Sequence, residues 1–129
     1  MNGLSLATVT LVVPSYDAGI AFYRDTLGFT LIEDSDLGGG KRWVVVSPGN
    51  GASLLLAKAA DDAQIAAIGN QTGGRVSFFL HTDDFAATYA RFMAGEVNFL
   101  EDPREEPYGT VAVFSDPFGN RWDLIESKE

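Results

Sequence analysis

The alternation of apolar and polar positions divides the chain into strands and short helices. Leu4 to Val13 is rich in Leu, Val and Thr, as a strand is, and Pro14-Ser15 closes it. Tyr16, Ile20, Tyr23 and Leu27 recur at helical spacing, with Ser15 or Asp17 as N-cap and Gly28 as the stop. Strands are predicted from Phe29 to Asp34, from Lys41 to Ser47 and from Ala52 to Lys58. Gly38-Gly39-Gly40 and the turn Ser47 to Gly51 join them. Ala59 to Gly69 reads as a helix with Ile65 and Ile68 as its apolar points, and Asn70 to Gly74 as a polar linker. Arg75 to Thr82 begins the series again as a strand. The helix after it is capped by Thr82 or Asp83, carries the stripe Phe85, Tyr89 and Phe92, and ends at Gly95. Val97 to Glu101 is a short strand, Asp102 to Pro107 a charged loop, and Thr110 to Ser115 and Arg121 to Glu126 the last two strands. Between those two, Asp116-Pro117-Phe118-Gly119-Asn120 is a tight turn. Pro sets φ at its entry, and Gly and Asn tolerate the left-handed conformations that reverse the chain.

This order is an internal repeat of strand, helix, strand, strand, strand. Tyr16, Ile20 and Tyr23 match Phe85, Tyr89 and Phe92 at an offset of 69, and Gly28 matches Gly95 after a two-residue slip. Ser47-Pro48-Gly49-Asn50 echoes the Ser115 to Asn120 stretch, and Leu55 falls opposite Asp123. A half of about 60 residues is marginal alone, so the two halves are expected to fold together. The expectation is one domain over 1–129: a module over 4–58, a helix and linker over 59–74, and a second module over 75–127.

Composition narrows the partners. With no cysteine there is no disulfide framework and no thiolate metal site. A net charge of −9 disfavours nucleic acid, which needs a basic face. No basic, apolar leader opens the chain and no apolar run reaches about 18 residues, so a cytoplasmic protein with no membrane partner is expected. Gly38-Gly39-Gly40-Lys41 lacks P-loop spacing, and no dinucleotide-type glycine motif occurs.

Two stretches carry a resemblance. One is Phe114-Ser115-Asp116-Pro117-Phe118-Gly119-Asn120 with Trp122-Asp123-Leu124. The other is Val9 to Val13 followed by Ala21-Phe22-Tyr23-Arg24-Asp25-Thr26-Leu27-Gly28-Phe29, with its Phe-Tyr-x-x-x-Leu-Gly-Phe helix end. Together they resemble the vicinal oxygen chelate superfamily, which includes glyoxalase I, bleomycin-resistance proteins and extradiol dioxygenases. The resemblance implies an α+β fold of two paired βαβββ modules, forming curled mixed sheets around a ligand cleft, and a homodimer. It also implies a divalent metal held by up to four His, Gln or Glu side chains in the enzymes. Those positions fall here on Thr8, Leu55, Ser77 and Asp123. Leu55 cannot coordinate, and two hydroxyls with one carboxylate are a poor donor set for a first-row metal. No tightly bound metal or other cofactor is therefore expected, a divalent metal being the alternative.

The remaining candidates line the implied cleft. Asp123 stands among large apolar residues on a strand, where alternate side chains face one way. As a cleft carboxylate it would meet a cationic or hydrogen-bond-donating ligand; otherwise it pairs with Arg121, Arg42 or a backbone amide. His81, the lone histidine, shares strand parity with Ser77 and Phe79. About 13 Å of strand separates Ser77 from His81, too far for a nucleophilic triad with Asp123. Trp43, Trp122, Phe79, Tyr108 and Phe114 supply aromatic surface for a flat ligand, Tyr108 as a lid residue by resemblance. The expected function is binding of a small aromatic or cationic molecule without a tightly bound metal. The alternative is a metal-dependent enzyme, a glyoxalase-type lyase or isomerase or an extradiol-type dioxygenase, or one using Asp123 and His81 for acid–base work. An accessory domain that binds another protein ranks behind both.

Overall fold

The computed structural model describes residues 3–128, which cluster into two compact units, one ending at Ala67 and one beginning at Ile68. The first unit contains β1 (Thr8–Val13), α1 (Tyr16–Ile20), β2 (Thr30–Gly38), β3 (Lys41–Ser47), β4 (Ser53–Lys58) and α2 (Asp62–Ala67). Its sheet runs β1-β4-β3-β2, with β1 parallel to β4 and the other pairs antiparallel. The second unit contains β5 (Val76–His81), α3 (Phe85–Ala94), β6 (Asn98–Phe99), β7 (Arg104–Glu106), β8 (Gly109–Ser115) and β9 (Arg121–Ser127). Its sheet runs β5-β9-β8-β6, with β7 also on β8 and β5 parallel to β9. The result is the expected α+β fold with two mixed sheets.

Each sheet packs a helix on one face. In the first unit Leu11, Val13, Val44, Val46, Leu54 and Leu56 are buried beneath Tyr16, Ile20, Tyr23 and Leu27. Gly19 is the contact point of this packing. A Cβ there would meet Leu56 Cδ1 at 2.9 Å, which explains a glycine inside a helix despite its cost in propensity. In the second unit Phe92 meets Phe114 edge-on at 5.6 Å, and Phe114 stacks on Trp122 at 5.9 Å. Leu124 and Ala112 continue that buried face.

The repeat extends to the caps. Ser15 accepts from the Ala18 amide at 3.0 Å, and Asp84 from the Ala87 amide at 3.0 Å. The cap of α3 is thus Asp84 rather than Thr82 or Asp83; the Thr82 hydroxyl instead accepts from the Asp84 amide and pairs with Thr88. The helix ends locate the slip between the halves. After Ile20 the first helix continues as a π-helix over Ala21–Thr26, and the Leu27 amide reaches back five residues to the Phe22 carbonyl. The Phe29 amide then bonds Tyr23, whereas its counterpart Val97 bonds Phe92, one residue closer. The first half therefore holds one extra residue, stored in the π-turn. The left-handed residue that ends each helix is Gly28 at φ 84° and Glu96 at φ 64°, so Glu96, not Gly95, is the partner of Gly28.

Other boundaries moved for physical reasons. Leu4 to Ala7 precede the first strand and are exposed, although the Ala7 carbonyl still accepts from Ser53. The helix expected over 59–69 shrinks to Asp62–Ala67 and buries no side chain; Ile65 is exposed. The short strand near residue 98 is confined to Asn98–Phe99. The charged loop contains β7, a true ladder in which Arg104 faces Val111 and Glu106 faces Gly109. In the turn before β9, Asn120 keeps an ordinary φ and works through its side chain. Its Nδ2 donates to Asp116 Oδ2 at 2.7 Å, and its amide to Asp116 Oδ1 at 2.8 Å.

Candidate functional site

In the second unit strand alternation sends Trp122, Leu124, Phe114 and Ala112 toward α3. Asp123, Ile125, Val111 and Val113 take the opposite face, termed open because Phe79 and His81 are exposed on it, although Asp123, Ile125 and Val111 are themselves buried. Phe79 and His81 of β5 share it, because Phe79 lies beside Asp123 and His81 beside Ile125. Ser77 falls in a bulge between Val76 and Phe78, and its hydroxyl lies 3.2 Å from that of Thr72. The parity that tied Ser77 to His81 is thereby broken, and Phe79 is the β5 side chain next to Asp123.

Asp123 is only 8% exposed, and its Oδ1 is buried without a hydrogen-bond partner. None of the expected structural partners holds it. Arg42 pairs with Asp17 and Asp34 in the first unit, and Arg121 donates to the Gly74 carbonyl. Burial pushes the Asp123 carboxyl above the usual carboxylate range; Arg104 opposes the shift and Glu101 adds to it.

Arg104, Glu101 and Glu106 are the site residues that sequence reasoning missed. Register with Val111 puts Arg104 on the open face. Its guanidinium donates to Glu101 at 3.2 Å and to Glu106, and it also engages Tyr108. Glu101 is fixed from its other side by the Val113 amide at 2.9 Å. The signal was present as the alternation Arg104-x-Glu106 before a two-residue Pro107-Tyr108 link, a hairpin pattern that Pro103 and Pro107 disguised as a loop.

The other candidates separate. Phe114 is fully buried among Phe92, Phe99 and Trp122 on the helix side, so it is core and lines no ligand surface; Trp122 is core beside it. Phe79 is 60% exposed on the open face, and His81 is exposed with Nδ1 3.4 Å from the Ser127 hydroxyl. Tyr108 is exposed at the tip of the β7–β8 hairpin. In the first unit Thr8, Leu55 and Trp43 lie on the face opposite α1, Thr8 beside Ser53, and Trp43 at the same parity as Val45, the neighbour of Leu55. Trp43 is 42% exposed. A groove of about 510 Å³ lies elsewhere, on the helix side, between Met93 of α3 and Leu100.

The donor set does not suit a metal. Among the described residues no three His, Cys, Asp or Glu side chains converge as metal ligands. Of the four family positions, Leu55 has no donor atom, and the Ser77 hydroxyl is engaged with Thr72. Among the described residues no helix is long and apolar enough to cross a membrane.

The geometry has counterparts. A protein of Shewanella frigidimarina described as uncharacterized is 51% identical over 125 residues, which cover 95% of this chain and 93% of that one. The crystal structure of UcmS2 superposes with a TM-score of 0.82 at 30% identity, covering 95% of this chain and 97% of that one. That of TnmS3, an antibiotic binding protein from Streptomyces sp. CB03234, does so at 0.79 with 29% identity, covering 99% of both. A family model matches residues 5–124, and the chain belongs to the Glyoxalase/Bleomycin resistance protein/Dioxygenase superfamily.

Proposed function

We propose that this protein binds a small organic molecule, aromatic or cationic, on the open face of the second unit, without a tightly bound metal. The observation that carries the reading is the buried, unpartnered Oδ1 of Asp123 beside the exposed ring of Phe79. A buried acceptor without a partner costs about 1–3 kcal/mol, which a ligand donor would recover. An exposed aromatic next to it offers a stacking platform. The likeness to TnmS3, an antibiotic binding protein, supports binding over turnover. The chain is further proposed to act as a homodimer, which light scattering reads as twice the chain mass.

A metal-dependent lyase or dioxygenase is the competing class, and nothing in the donor set favours it. Elemental analysis of untagged protein, followed by thermal unfolding with added Ni, Zn, Mn or Fe, separates the two. The binder reading expects sub-stoichiometric metal and no stabilisation. Near-stoichiometric metal, or a rise in Tm with one ion, would overturn it.

A further inference from the structure

Resting on the reading of this face as a binding site, we propose that its ligand is a neutral aromatic bearing an O–H or N–H donor, the ring lying on Phe79 and the donor reaching Asp123 Oδ1, and not a cation. Three observations lead there.

The unpartnered acceptor is a single recessed atom. Asp123 is 8% exposed, with Oδ1 fully buried, and its cross-strand neighbours on the same face are Phe79 and Val113. Neighbouring strands lie about 4.8 Å apart, so a donor carried on an aromatic ring can meet the carboxylate while the ring covers Phe79. A hydrated ammonium would have to shed its water against an apolar wall.

The carboxylate already has a cation near it. Arg104 shares its face, held in place by Glu101 and Glu106. After burial, the attraction of Arg104 is the stronger of the two charge effects on Asp123, ahead of repulsion by Glu101. Arg104 already supplies Asp123 with a cationic neighbour and is itself answered by Glu101 and Glu106, so what Oδ1 still lacks is a hydrogen bond, which a neutral donor supplies. The acidity of the whole chain acts at long range and is screened beyond about 10 Å.

The fold does not need this charge. Leu55 occupies the corresponding place in the first unit, in the same kind of parallel ladder. A carboxylate buried without a partner, where the other unit holds leucine, is accounted for by a ligand donor.

The test uses the full chain and three probes with one ring system: 2-naphthol, 2-methoxynaphthalene and 2-naphthylmethylammonium. Affinities come from calorimetry, and the site from amide NMR shifts of Phe79, Val113 and Asp123. Wild type is expected to prefer 2-naphthol over the methoxy probe by about tenfold, the worth of one good hydrogen bond, with no gain for the ammonium. Asp123→Asn keeps an acceptor oxygen and should hold 2-naphthol within about threefold, while Asp123→Leu should lose about tenfold. Tightest binding of the ammonium probe, abolished by Asp123→Asn, would overturn the neutral-ligand inference and leave the binding reading standing. Failure of all three probes to shift those amides would overturn both.

Discussion

Asp123 is buried at a cost, its Oδ1 without a hydrogen-bond partner. Its folded-state pKa is raised, so between the ordinary carboxylate value and the folded value the native state holds more protons than the unfolded chain. Stability therefore rises as pH falls through that window, and the cost is fully present above it. Asp123→Leu and Asp123→Asn are expected to raise Tm at pH 7 by a few degrees, and the gain should shrink as pH falls through that window and be gone below about 4. Thermal unfolding of the three proteins across pH checks this; a lower Tm for Asp123→Leu at pH 7 would mean that the carboxylate has a structural partner. Gly69 is the opposite kind of residue. It sits at φ 70° with its Cα against the Phe118 carbonyl, and a Cβ would overlap that oxygen. Gly69→Ala should cost more than about 2 kcal/mol in chemical denaturation, since left-handed strain and a backbone clash add.

At the scale of elements, burial decides which predicted anchors matter. Ile65 was an apolar point of a predicted helix, yet α2 buries no side chain, so Ile65→Ser should change stability by less than about 0.5 kcal/mol. Phe92 is 1% exposed against Phe114, and Phe92→Ala should cost about 3–5 kcal/mol by the same measurement. Helix caps and apolar stripes were legible because they depend on neighbours three or four residues away. The π-turn over Ala21–Thr26 was not. A π-turn is rare and has no local sequence signature; here it accompanies the contact of Tyr23 with Phe29, which local pattern does not record. β7 was hidden for a related reason: its flanking prolines read as loop, while its pairing with β8 is a contact that local pattern does not record.

At the scale of the molecule, a net charge of −9 would attract a cationic ligand from a distance. A neutral donor feels no such pull. The affinity for 2-naphthol is therefore expected to change by less than about twofold between low and roughly 0.5 M salt, where surface charges are screened. A fall of about tenfold in the same calorimetric titration would show that charge, and not the hydrogen bond to Oδ1, carries its binding. Salt dependence and the Asp123→Asn variant thus report on one question by independent routes.

The sequence by itself determined the repeat and most strand positions, because these follow from side-chain period and turn chemistry written locally along the chain, and its two motif stretches carried the resemblance that implied the superfamily and its α+β class. It also determined that Leu55 and Asp123 are counterparts. Tertiary structure alone decided which side chains meet. A bulge at Ser77 shifted the β5 register and made Phe79 the neighbour of Asp123. Pairing of β7 with β8 brought Arg104 and its two glutamates onto the open face, while alternation along β8 sent Phe114 into the core. A one-residue change of register exchanges the two faces of a strand, so a site built on facing strands becomes readable only once their pairing is known.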